Sequence, residues 1–216
     1  MLIHKTLVLR KALVPALLIS SWFLPHSSAQ ADIAVDGADP VWNRTIQDWC
    51  DNHIAPAYRT QDHIVVRVLD DRHMMAYLDG GRNNGNSDER QSHQTSQGDD
   101  TSDIDGVFED NPPRVTLRQS GSTMPDMYTF AHEYGHYVWF DVFSGADRKR
   151  YEGIYKHQRA QRHLVTDYAA TDLEEGFAEA FSFYAASPAM LARRDSESSK
   201  FLDAWTASHS PATDHR

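Results

Sequence analysis

One cysteine, Cys50, stands in the 216 residues, so no intrachain disulfide can form and the fold must be held by its core. The surrounding "VWNRTIQDWCDNHI" puts Cys50 on the apolar stripe of Val41, Trp42, Ile46, Trp49 and Ile54, which suits a buried structural thiol. Basic residues are also scarce. The 21 Lys and Arg against 31 Asp and Glu leave a net charge of −10, the wrong sign for nucleic acid or an anionic membrane surface. Aliphatic residues almost vanish between Asp79 and Gly106, where Ile104 is the only one, so this segment reads as a flexible surface insertion. Its acidic end does not make an EF-hand. With Gly106 as the loop glycine, Thr101 takes the first ligand position and Pro112 stands where the bidentate Glu belongs. The chain has no internal repeats.

Long apolar runs are missing everywhere except near the N-terminus. There "ALVPALLISSWFLP" follows Lys5, Arg10 and Lys11 and precedes "SSAQA", the pattern of a secretory signal over residues 1–31 cut after Ala31. Pro15, Ser20 and Ser21 interrupt the run too often for a membrane span of about 20 apolar residues. The expectation is an exported protein, secreted or periplasmic, with no membrane span after cleavage. Processing removes three of the 21 basic residues and none of the 31 acidic ones, leaving a net charge of −13. Residues 32–207 are expected to form one domain, followed by a polar tail over 208–216.

Within that domain, Asp39–Pro40 starts a helix that runs to about Ile54. "HIVVRVLDD" and "HMMAYLD" read as two strands turning at Asp71 and Arg72, and "RVTLRQ" (114–119) as a third, which suits an ordinary sheet strand and an edge for extended substrate equally well. A helix capped by Thr123 with Asp126 carries "MYTFAHEYGHYVWFDVF". A second covers "DRKRYEGIYKHQRAQR", a third starts at a Thr171–Glu174 capping box and runs to Pro188, and a short one lies near "SSKFLDAW". The fold class is α+β.

"AHEYGH" is the chemically loaded stretch. At about 100° per residue, His132 and His136 differ by about 40° and stack about 6 Å apart, so both imidazoles can reach one ion. Met127, Ala131, Tyr134, Val138 and Val142 form an apolar stripe behind them, which makes this helix central. Glu133 falls at the rim of the same groove, where a carboxylate can take a proton from water without binding the ion, the general-base role in zinc proteases. Catalytic zinc needs a third protein ligand and an open fourth position. A metzincin would place Gly at 139 and His at 142, but the chain has Trp139 and Val142. His157 and His163 lie in the basic, polar "YKHQRAQRH" and read as solvated. Glu175 and Glu179 share one helix face with Phe177, Phe181 and Tyr184 behind, and Glu174 falls toward the aromatic flank. That face suits a third-ligand helix, and taken alone it suits a solvated face equally well.

"HEYGH" followed after 38 residues by "EGFAEAF", with "TDY" shortly before, resembles the lethal-factor-like gluzincins, the family of the anthrax lethal factor catalytic domain and the Pro-Pro endopeptidases. The resemblance spans about Arg114 to Tyr184. It implies a zincin-like metalloprotease domain, with a small mixed sheet packed against the central HExxH helix and a Glu-bearing ligand helix. It also implies Zn2+ held by His132, His136 and Glu175, Glu133 as general base, and Tyr168 as hydrogen-bond donor to the developing oxyanion. Glu179 would orient a ligand histidine. Gly176 departs from the family, which has an aromatic there in lethal factor. The activity implied is hydrolysis of a peptide or protein substrate by metal-activated water. The rival is a catalytically silent zinc-binding secreted interaction domain on the same scaffold, which has no chemical need of Glu133 or Tyr168. A third reading, a metal-free core, would leave His132, His136 and Glu175 needing a buried polar network of their own.

Overall fold

A computed structural model describes residues 33–37, 40–59, 64–83, 104–110, 112–122 and 125–210. The expected signal over 1–31, most of the insertion (84–103) and Thr123 lie outside the described residues.

Four strands form one mixed sheet: β1 (Ala34–Gly37), β2 (Val65–Asp70), β3 (Gly106–Asp110) and β4 (Pro113–Gln119), in the order β1-β2-β4-β3. β1 and β4 run parallel to β2, whereas β3 is antiparallel to β4. The alternation of the strands splits their side chains. Val66, Val68, Phe108, Val115 and Leu117 enter the main core, while Leu69 and Val107 face a smaller cluster on the other side.

That smaller cluster corrects the sequence reading. "HMMAYLD" is not a strand but part of helix α2 (Asp71–Asn83), which buries Met74 and Leu78 one turn apart. A hairpin would make its two strands antiparallel neighbours. Instead β2 pairs in parallel with β4, and parallel strands need a crossover, whose first part is α2. Ile104 also departs from the reading of a wholly exposed insertion: it is buried with Met74, Leu78 and Val107. β4 is internal, between β2 and β3, so it offers no edge to substrate; the edge strand on that side is β3.

Helix α1 (Pro40–His53) matches the expected segment and buries Ile46 and Cys50; burial pushes the Cys50 thiol up to about 12. The remaining helices are α3 (Met127–Tyr137), α4 (Gly145–Gln161), α5 (Leu173–Ala186), α6 (Pro188–Arg194) and α7 (Ser196–His209). α3 gives way to a π turn over Val138–Val142, which places Trp139 and Phe143 in the core. Arg148 donates to the carbonyls of Trp139, Phe140 and Phe143 and so satisfies the end of that turn. A full capping box between Ser144 and Asp147 starts α4. The caps of α3 and α5 are aspartates, Asp126 and Asp172, in place of the expected Thr123 and Thr171. α7 extends through His209, into the stretch read as polar tail.

The main core runs in sequence from Ile33 to Trp205 and is dominated by aromatics. Phe177 sits at its middle, with Trp139, Phe143 and Tyr151 all within 5.2 Å between ring centroids. α3 and α5 make the most extensive helix pair, and α3 also packs on β3 and β4. Among the described residues, no helix is long and apolar enough to cross a membrane.

Candidate metal centre

α3 is buried without interruption from Phe130 to Tyr137, so its histidines are set by packing on every side. His132 and His136 project toward α5, with ring centroids 5.0 Å apart and planes nearly perpendicular. Between them in sequence lies Gly135, where a Cβ would fall 2.9 Å from the Ala178 Cα of α5. The missing side chain lets the two helix backbones close up, and closure carries Glu175 to the histidines. Its Oε2 lies 3.0 Å from His132 Nε2 and 3.7 Å from His136 Nε2.

Each of the three residues offers one ligand atom, all within 4.8 Å of one another, and all three are buried. A tetrahedral ion bound at about 2.0–2.1 Å would set its ligands roughly 3.3 Å apart, a value that the two His–Glu separations bracket. The group can therefore hold a metal ion.

Charge within the cluster follows from its geometry. Burial alone would push Glu175 up, but the hydrogen bond from His132 and the nearby charge of His132 and His136 hold it well below the usual carboxylate range. Burial likewise disfavours a charged His132, yet hydrogen bonds to Glu175 and Glu179 outweigh it and raise the ring to about 10.

Glu179, one turn beyond Glu175, accepts from His132 Nδ1 at 3.0 Å, leaving Nε2 of that ring directed at Glu175. Its second oxygen accepts from Thr166 Oγ1 at 2.6 Å. Glu174 is half-buried and lies outside the cluster.

Glu133 is 1% exposed, and its Oε2 has no hydrogen-bond partner among the described residues. Burial pushes its carboxyl up to about 7; the charge of His132 opposes this, that of Glu175 adds to it, and a hydrogen bond from the Phe108 backbone opposes it. A carboxyl that titrates near neutrality beside a metal-capable cluster is suited to accept and return a proton. Gly106 makes this proximity possible, because a Cβ there would sit 2.8 Å from Glu133 Cγ and 2.6 Å from Thr129 Cγ2.

His132, Glu133, Tyr168 and Glu179 open onto one cleft of about 260 Å³, walled by Asp105 and Gly106 on one side and by Tyr128 and Phe183 elsewhere. Tyr168 is 38% exposed and its ring centroid is 5.9 Å from that of His132. It stands on a 3-10 turn, Tyr168–Ala170, tied to the start of α5. Thr171 Oγ1 donates to the Tyr168 carbonyl, and Asp172 Oδ1 accepts from the Glu174 and Glu175 amides.

All six site residues anticipated from the sequence thus meet at one place. His157 does not: it pairs with Glu197 at a separate surface cleft that His163 also lines. Gly176, the departure noted above, has a local cause. A Cβ there would run into the Tyr155 ring and come within 2.9 Å of the Ala169 carbonyl, so α4 supplies an aromatic at the spot. Sequence reasoning missed Thr166, Gly106 and the Phe108 backbone. Thr166 was in view within "TDY", but nothing in the sequence aims its hydroxyl at Glu179. Compared with protein-family models and with curated proteins, the chain matches none.

Proposed function

We propose that the chain is a zinc-dependent endopeptidase of the lethal-factor-like gluzincin type on a zincin-like scaffold, exported to the periplasm or the medium. The observation that carries this reading is the Glu133 carboxyl, buried with one oxygen unpartnered, beside a two-histidine, one-glutamate cluster whose His132 lines the same cleft. A purely structural metal site has four protein ligands and no use for such a group, whereas catalytic sites keep three and leave a position open.

His132, His136 and Glu175 would hold the zinc, which when bound would supply Lewis acidity toward a scissile carbonyl and lower the pKa of water. Glu133 takes the proton of the attacking water and returns it to the leaving amine, a double duty suited to a group poised near pH 7. Tyr168 donates its phenolic hydrogen to the oxygen that becomes negative as the carbonyl turns tetrahedral. Glu179 keeps His132 in the tautomer with Nε2 turned inward. Extended substrate pairs with the outer edge of β3, next to the cleft wall formed by Asp105 and Gly106.

The test is a comparison of the chain with its Glu133→Gln variant for bound zinc and for cleavage of a diverse peptide library. Zinc in both with cleavage by the parent alone is the expected result. Zinc in both and cleavage by neither would favour a silent zinc-binding module. A chain that takes up no zinc at neutral pH overturns the metal readings together.

A further inference from the structure

We propose that Thr166 is a positioning residue that couples the metal ligand His132 to the oxyanion tyrosine Tyr168. The proposal rests on the endopeptidase reading above and deepens it. The Thr166 hydroxyl makes two hydrogen bonds of opposite sense. It donates to Glu179 Oε2 at 2.6 Å and accepts from the Ala169 amide at 3.0 Å. A backbone amide can only donate, so the hydroxyl's one proton is committed to Glu179.

Each bond fixes a different part of the site. The Glu179 bond occupies one carboxylate oxygen and leaves the other to accept from His132 Nδ1 at 3.0 Å, which orients the imidazole. The Ala169 bond anchors the residue next to Tyr168, at the near end of the turn that presents the phenol. The far end of that turn is already held by the Thr171 bond to the Tyr168 carbonyl. Removing the hydroxyl therefore loosens both His132 and Tyr168, although Thr166 touches neither the substrate nor the ion.

Thr166→Val keeps the shape and removes the hydroxyl, whereas Thr166→Ser keeps the hydroxyl and removes a methyl. Zinc affinity is measured by chelator competition, kcat and KM at saturating zinc, and folding by thermal denaturation. The expected result for Thr166→Val is a 10- to 100-fold loss of zinc affinity, the range typical of lost ligand-orienting partners, with a lower kcat at nearly constant KM. Thr166→Ser is expected to retain both within about threefold. If the valine variant does not fold, Thr166→Ala takes its place, alone and combined with Glu179→Gln: the alanine must then lower zinc affinity by itself and add nothing to the loss caused by the glutamine. A parent chain that binds zinc but cleaves nothing removes the endopeptidase reading, and the zinc-affinity comparison still decides the link to His132. Equal zinc affinity in parent and valine variant, or a serine variant as impaired as the valine one, overturns the proposal; so does a parent without zinc affinity.

Discussion

The two sides of the site are built by different physics. His132, Glu133 and His136 ride on α3, whose residues from Phe130 to Tyr137 are all buried, so packing sets their positions. Glu175, Glu179 and Tyr168 belong to α5 and the turn before it, where side-chain hydrogen bonds are added to the packing: the α5 amides to Asp172, Thr171 to the turn, Thr166 to Glu179. A packed element transmits any change in volume to the whole core, because protein interiors have no slack. A hydrogen-bonded turn can be altered one contact at a time, at about 1 kcal/mol each.

The contrast predicts graded outcomes. The largest is Gly135→Val, which drives a branched side chain into the Ala178 backbone. It should cost about 3 kcal/mol of stability and abolish zinc binding with it, since α3 and α5 must move apart. Calorimetry and zinc titration check this, and a variant that kept both would mean that the site is not held by packing. Next is Tyr168→Phe, expected to lower kcat by about 10²- to 10³-fold while zinc affinity and Tm stay near those of the parent. Full activity in that variant would remove the tyrosine from the mechanism. The smallest is Asp172→Ala, a lost helix cap worth about 1 kcal/mol, read as a shift in the denaturation midpoint with zinc still bound. A loss as large as that of Gly135→Val would erase the distinction between the two sides.

The α3 side was the more legible in sequence because its signal is periodic and local. Histidines four apart and an apolar stripe determine one another's direction once the segment is helical. The α5 carboxylates were legible as a face, but what the face met depended on Gly135 and Ala178 closing the helix pair. The caps were displaced because an aspartate stood close to each threonine: Asp126 three residues on from Thr123, Asp172 directly after Thr171. Met74, Met75, Tyr77 and Leu78 satisfy a helical repeat as readily as a short strand, and only the parallel pairing of β2 with β4 decides between them. β3 escaped notice because "GVFED" is five residues long and adjoins a polar stretch, although its backbone reaches Glu133. The Thr166 bonds were illegible for a related reason: they exist only once the turn at 168–170 folds back over α5.

Cys50 lies at the opposite end of the chemistry from the cluster on α3 and α5. With Cys50 1% exposed and burial pushing its thiol up to about 12, the reactive thiolate is disfavoured at neutral pH. Two copies of the folded chain therefore cannot become covalently joined through it, and electrophiles pass it by. The same residue turns reactive as soon as α1 leaves the core, which makes it a reporter, built into the protein, of how often the fold opens.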